Sequence, residues 1–389
     1  MTAIPNLGRF VAFATIGTVA LMPLLVLPAM VGVLVDRAGL SEPMAGWSAS
    51  LHFLGSAAIG VLMSLRMHHL SLRRVATIAL VLAVVSDLAS AWFAGPNTAF
   101  LVARTIAGIA LGAAYVCAVS SFARYDNYER GFGLYITLQF TVSGLGLYVV
   151  PVFSADLGGQ GLFVAFAGLD LLALSLVRFL PEAVPARKSE IAVENVSELR
   201  VLLTAAAITA IFGFALFEAA NNAQFTYIER FGVALALSEH QIGVALLVAS
   251  LIGIPGAFVI VVVGQRFGTL PPLTLGIGIA VAGLLLLITS DTYVDYFVGS
   301  CFMGFSWAFC LPFIQSLLAS LDRKGSAIAA GTSLSTLGSA VGPGLAALVV
   351  DGGRYANVFY LSIGIFVLTY LCLFYAARHR DQTRTVANA

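Results

Sequence analysis

The sequence predicts an all-α integral membrane protein, with twelve transmembrane helices in two parallel-repeat bundles of six. Composition, the number of apolar runs and an internal repeat predict it. Of 389 residues, 60% are hydrophobic and 10% charged, with a mean hydropathy of +0.97; a water-soluble domain carries about a quarter charged residues. A net charge of +1 offers nothing to nucleic acid, so no such partner is expected. Cys117, Cys301, Cys310 and Cys372 all fall inside apolar runs without C-x-x-C spacing. That excludes a disulfide framework or zinc ribbon and makes them packing residues.

At ~20 residues per ~30 Å of hydrocarbon, the first six spans are Phe10–Val35, Met44–Leu65, Val75–Ala94, Thr98–Phe122, Phe132–Ser154 and Leu162–Leu180. The second six are Leu199–Tyr227, Gln241–Val263, Leu273–Thr289, Tyr293–Leu321, Ser326–Val350 and Asn357–Ala377. Arg9 before an apolar run resembles the start of a signal peptide. The run continues to Val35 without an A-x-A site, so it is read as the first span. The polar stretch 181–198, with Arg187, Lys188 and four glutamates, reads as a cytoplasmic linker between domains 1–180 and 199–378; 379–389 reads as a cytoplasmic tail.

Basic residues set the orientation. With both termini inside, sixteen Lys and Arg fall in inner loops and tails, and only Arg37, Arg230 and Arg354 in outer loops; Arg104 is the twentieth. Both termini are therefore expected in the cytoplasm; the protein is also expected to be multi-pass, in the inner (plasma) membrane and a monomer.

The halves repeat each other. Val35-Asp36-Arg37-Ala38-Gly39 matches Ile228-Glu229-Arg230-Phe231-Gly232, and Leu40-Ser41-Glu42 with Gly46 matches Leu237-Ser238-Glu239 with Gly243. Gly131, Gly144 and Gly158 match Gly325, Gly338 and Gly352 at one constant separation of 194 positions. Because each half holds an even number of spans, the copies share one orientation, and a site is expected at the midplane between them.

Arg104 lies in the fourth span with Gly108 and Gly112 at i+4 and i+8, which leaves one helix face bare for a close neighbour. An Arg at mid-bilayer is uphill by ~3 kcal/mol or more, so it needs a partner or water; the alternative is an Arg snorkelling to the surface. Together with Gly264-Gln265-Arg266-Phe267-Gly268 after the eighth span, and Gly338 with Gly342-Pro343-Gly344 in the eleventh, these residues resemble the major facilitator superfamily. The resemblance covers the whole chain. It implies a secondary transporter whose first, fourth, seventh and tenth helices line a central cavity. The chain departs from the family pattern at Ser64 and Gln265 in the two loop motifs, and at Ser143-Gly144-Leu145-Gly146, where drug antiporters carry Gly-Pro.

On the seventh span Glu218, Asn221, Asn222 and Phe225 fall at i, i+3, i+4 and i+7, one helix face. Their repeat counterparts Leu25, Pro28, Ala29 and Gly32 are apolar, so the polarity is not inherited from the shared fold. Glu218 is a titratable carboxyl suited to loading and releasing a proton; a helix–helix hydrogen-bond network is the alternative use. Asp87, Arg104 and His52 lie at similar depth, ~10–12 Å from one face by helical rise. An Asp87–Arg104 pair would neutralise both charges, and structural pairing and proton-linked gating both fit it. His52 is read as a packed, hydrogen-bonded residue, and Asp170, for which the sequence names no partner, as structural.

With Tyr115, Gln139, Phe225 and Trp307 these residues make a lining of aromatics and polar groups suited to a small, partly apolar organic solute. Candidate substrate-binding residues are Arg104, Tyr115, Gln139, Asn221, Asn222, Phe225 and Trp307; candidate proton-coupling residues are Glu218 and Asp87. No metal-ligand spacing and no phosphate loop occur, so neither metal nor cofactor is expected, and no enzyme activity. The expected function is proton-coupled secondary transport by alternating access, with the solute, protons and the lipid bilayer as partners. Alternatives are organic-anion uptake, with Arg104 holding a substrate carboxylate, and a non-transporting receptor or scaffold.

Overall fold

A computed structural model describes residues 7–64, 71–122, 128–182, 202–263, 266–321 and 326–388. Outside these fall Gly264-Gln265 of the loop motif, Lys324-Gly325 of the repeat, and all of the expected linker beyond Pro181 and Glu182. Regular structure among the described residues is helical, and eleven helices are long and apolar enough to cross a membrane.

The first span is carried by three pieces, Leu7–Ala20, Met22–Leu25 and Leu27–Asp36, rather than by one helix. Pro23 and Pro28 explain the breaks: each lacks the N–H that would bond one turn back, and its ring crowds that carbonyl. Ser143 of the fifth span donates its hydroxyl to the carbonyl of Leu25 at 2.7 Å, satisfying a group the break leaves over. Spans two to four are Glu42–Ser64, Leu72–Trp92 and Thr98–Phe122. The fifth and sixth form one long element, Tyr128–Leu176, bent at Gly158, whose φ of 67° and ψ of −171° suit a residue without a side chain.

The later spans are Ala205–Ala234, Glu239–Val263, Leu270–Ile288, Tyr293–Ala319, Ser326–Val349 and Ala356–Asn388. The apolar part of the last helix, Ala356–His379, agrees with the expected span, and the helix itself continues to Asn388. One of these spans corrects the expected bounds. The seventh runs on to Ala234, so Arg230, expected in an outer loop, is instead buried beside Glu229, with Nε–Oε2 at 2.8 Å. Repeat spacing explains this. The Asp36/Glu229 match is separated by 193 positions and the Ser41/Ser238 match by 197. Four extra residues make about one more helical turn in the seventh span.

The chain divides into two compact units, Met1–Lys188 and Ser189–Ala389. In the first, the second span packs along the fourth, the fourth along the third, and the first against the fourth and fifth. In the second, the eighth packs along the tenth, the tenth along the ninth, and the seventh along the eleventh and twelfth. The pairing of second with fourth recurs as eighth with tenth, down to one detail: a side chain on Gly108 would strike the carbonyl group of His52, and one on Gly304 that of Ala249. The matched serines also do the same work. Ser41 Oγ accepts from the Met44 N–H at 3.4 Å; Ser238 Oγ accepts from Gln241 N–H at 3.3 Å while Gln241 Oε1 returns to the Ser238 N–H at 3.0 Å, a reciprocal helix cap.

Burial is inside-out relative to a water-soluble bundle. On the third span Ala79, Ala83, Ser86, Asp87 and Ser90 are buried while Ile78, Val85 and Leu88 face outward. Lipid solvates large aliphatic side chains as well as a core would, so the inner face goes to small residues that let backbones approach and to polar ones that bond across helices.

Candidate functional site

The candidate residues fall into three groups of described side chains, each within one unit. In the first unit Arg104 is enclosed, with 1% of its surface exposed. Its NH1 donates to Asp87 Oδ1 at 2.5 Å and reaches Ser90 Oγ at 3.3 Å; its NH2 lies 3.0 Å from His52 Nδ1, and its guanidinium stacks 4.9 Å from the centre of the Phe163 ring. Glycine makes the approach possible. Cβ atoms on Gly108 and Gly112 would sit 2.6 Å from the carbonyl carbon of His52 and from Cα of Ser56, so only bare positions let the second span lie this close.

A guanidinium keeps all its protons and has no acceptor, so His52 Nδ1 must receive its hydrogen bond, with the imidazole neutral and its proton on Nε2. The other contact of that nitrogen, 3.1 Å to the carbonyl of Arg104, cannot then be a donated bond. Asp170, for which the sequence names no partner, stands against Asp87 and feels the charge of Arg104. It lies eight residues beyond Leu162, just as Asp87 lies eight from Gly95, so counting depth along the sixth span would have found it.

Further along the fourth span, Tyr115 and Gln139 come together through Tyr135, which interacts with both. Tyr135 is fully buried and Tyr115 and Gln139 half-buried. Gly17 of the first span makes room for the Tyr135 ring, whose Cε2 would lie 3.2 Å from an added Cβ. Gln139 Nε2 is buried without a hydrogen-bond partner. Sequence reasoning missed Tyr135, although it lies four residues before Gln139 and so on the same helix face.

In the second unit Glu218 is the centre. Trp307 Nε1 donates to Oε1 at 3.3 Å; Ser339 Oγ, at 3.3 Å, and Asn222 Nδ2, at 3.5 Å, donate to Oε2. All three bonds are at the long end of the useful range, and among the described residues no cation pairs with Glu218. Asn222 and Asn221 also turn their amides back on their own helix, donating to the carbonyls of Glu218 at 2.9 Å and Phe217 at 2.8 Å. Asn221 Oδ1 is left buried and unpartnered; Phe225 and Trp307 are half-buried. Ser339, absent from the sequence-derived set, is delivered by the glycine seam of the eleventh span. A side chain on Gly338 would strike the Ala215 carbonyl, and one on Gly342 would sit 2.9 Å from Ala223 N and 3.0 Å from Asn222 Cβ. The seam was legible; the serine riding on it was not, because nothing local names the helix it meets.

Among the described residues no group of three or more His, Cys, Asp or Glu could hold a metal ion. The family model of the Major Facilitator Superfamily matches residues 7–335 and again 235–389. No curated protein matches the sequence. Solved structures with the same fold include the nucleoside transporter NupG, with a TM-score of 0.75, 14% identity, and coverage of 96% of this chain and 99% of that one. A D-xylose-proton symporter aligns with a TM-score of 0.72 and 17% identity over 98% of each chain. A bacterial homologue of the human lysosomal transporter Spinster, in an inward-facing and unoccupied conformation, aligns with a TM-score of 0.67 and 13% identity over 99% of this chain and 98% of that one.

Proposed function

The chain belongs to the Major Facilitator Superfamily, and from that premise we propose that it is a proton-coupled secondary transporter for a small, partly apolar organic solute, with Glu218 as the coupling group. The observation that carries this reading is the setting of Glu218: a buried carboxyl on a helix fit to span a membrane, held by three long bonds from neutral donors and by no cation. An ionised group there would be an uncompensated charge in a dry environment. Gain or loss of its proton therefore changes the charge of the site by one full unit. In alternating access the carboxyl meets water from one side at a time, so its proton and the solute can be exchanged together.

The solute would occupy the face shared by Glu218, Asn221, Asn222, Phe225 and Trp307. Trp307 and Phe225 offer apolar surface, and Asn221 Oδ1 an acceptor that lacks a donor among the described residues. That a nucleoside transporter and a sugar–proton symporter share the fold is consistent with a polar organic cargo. The basic-residue asymmetry supports cytoplasmic termini. Organic-anion uptake on Arg104 has less support, since that guanidinium is already occupied by Asp87, Ser90 and His52.

The test uses proteoliposomes carrying an internal pH dye and a panel of nucleosides, sugars and small aromatic compounds. A solute that moves the dye signal with the parent protein should leave it unmoved with Glu218→Gln, while counterflow of the same solute persists. If the Gln variant still accumulates solute in response to an imposed pH step, Glu218 is not the coupling group.

A further inference from the structure

The first unit contains a second buried acid–base cluster that the Glu218 reading does not use. Its members come from four spans: His52 from the second, Asp87 and Ser90 from the third, Arg104 from the fourth and Asp170 from the sixth. Asp87 and Asp170 also line one narrow crevice, closed by Val19, Met22 and Pro23 of the first span, Leu111 of the fourth, and Phe166 and Leu169 of the sixth, none of them titratable. Arg104, Asp87 and Asp170 have at most 1% of their surface exposed, and His52 has 3%.

Charge counting decides what this cluster must hold. Arg104 brings one positive charge. His52 is neutral, because its Nδ1 accepts from the guanidinium. Two ionised carboxylates would therefore leave one net negative charge sealed among apolar side chains, a state proteins avoid by neutralising the group. Hydrogen bonding points the same way. Asp87 Oδ1 is bonded to Arg104, but Asp87 Oδ2 and Asp170 Oδ2 are both buried without a partner, although the two carboxyls interact with each other. Two carboxylates have only acceptors to offer one another. A single proton on one of them makes it a donor to the other, removes the excess charge and satisfies both oxygens.

We propose that Asp87 and Asp170 share one bound proton beside Arg104, which gives the first unit a proton site of its own. Asp170 is thus a partner in proton binding and not merely a packing residue. The site stands apart from the Glu218 reading and does not depend on it. It also makes an unusual demand: replacing either carboxyl by its amide should remove the proton, because the remaining carboxylate then balances Arg104 unaided.

The experiment is infrared spectroscopy of the purified full chain at neutral pH, in a Glu218→Gln background so that Glu218 contributes nothing. The readout is the C=O stretch of a protonated carboxyl, identified by its shift in heavy water. The parent should show such a band. Asp170→Asn and Asp87→Asn should each abolish it, and His52→Gln should retain it. A parent without a protonated-carboxyl band overturns the proposal without recourse to any variant. So does a band that survives in either Asn variant, or one lost in His52→Gln. Failure of the Glu218 transport test would leave these spectra unaffected, and the converse also holds.

Discussion

Gly108→Ala isolates the close approach on which the Arg104 cluster depends. The new Cβ would lie 2.6 Å from the carbonyl carbon of His52 and 2.8 Å from its Cα, with the carbonyl oxygen nearer still, whereas ordinary contact begins at 3.4 Å. Every one of these atoms is backbone, so no side-chain rotation relieves the clash, and the second and fourth spans must separate by about an ångström. Overpacking of this kind costs about 1–3 kcal/mol, against which alanine's better helix propensity returns about 1 kcal/mol. Gly168→Ala supplies the reference: it carries the same propensity gain, but its Cβ meets nothing within 4 Å. The unfolding free energies of the two variants, measured by SDS titration in mixed micelles, should therefore differ by about 1–3 kcal/mol, with Gly108→Ala the less stable. Gly304→Ala, at the repeated position against the Ala249 carbonyl, should behave like Gly108→Ala. Equal stabilities for the Gly108 and Gly168 variants would refute the close-approach reasoning.

The Arg104 cluster gives a ranked series in the same titration. Arg104→Met leaves Asp87 and Asp170 without a cation and should cost about 3–5 kcal/mol. Arg104→Lys should recover only part of that, because an ammonium lacks the planar fork that reaches Asp87, Ser90 and His52 together. Asp87→Asn should be the mildest of the three, since Asp170 remains to balance Arg104; a Met variant as stable as the parent would mean the guanidinium is solvated rather than paired. Ser143→Ala removes the hydroxyl donor from the Leu25 carbonyl at the first-span break and should cost about 1–3 kcal/mol. Ser175→Ala, whose exposed hydroxyl bonds the Leu172 carbonyl of its own helix, should be near neutral, and similar losses at the two positions would show that the break needs no such donor.

What the sequence determined by itself is what depends on local spacing. Runs of about twenty apolar residues mark spans because a bilayer has one thickness. The seam at Gly108 and Gly112, and the stripe from Glu218 to Phe225, follow from the helical repeat alone. The broken first span and the longer seventh were also encoded, in Pro23 and Pro28 and in the change of repeat spacing from 193 to 197 positions. Tertiary structure alone decided which helix each polar face meets and at what rotation. Depth counting can place Asp87, Arg104, His52 and Asp170 at one level, but only the packing of the third, fourth and sixth spans sets the two carboxyls against each other with a single guanidinium between them and neutrality. Likewise, a serine among the many of the eleventh span becomes a partner of Glu218 only because Gly338 and Gly342 let that helix settle onto the seventh. Spacing along one helix is a property of the chain, whereas the pairing of faces is a minimum over all the helices at once, reached where small residues allow backbones to touch and buried polar groups find partners.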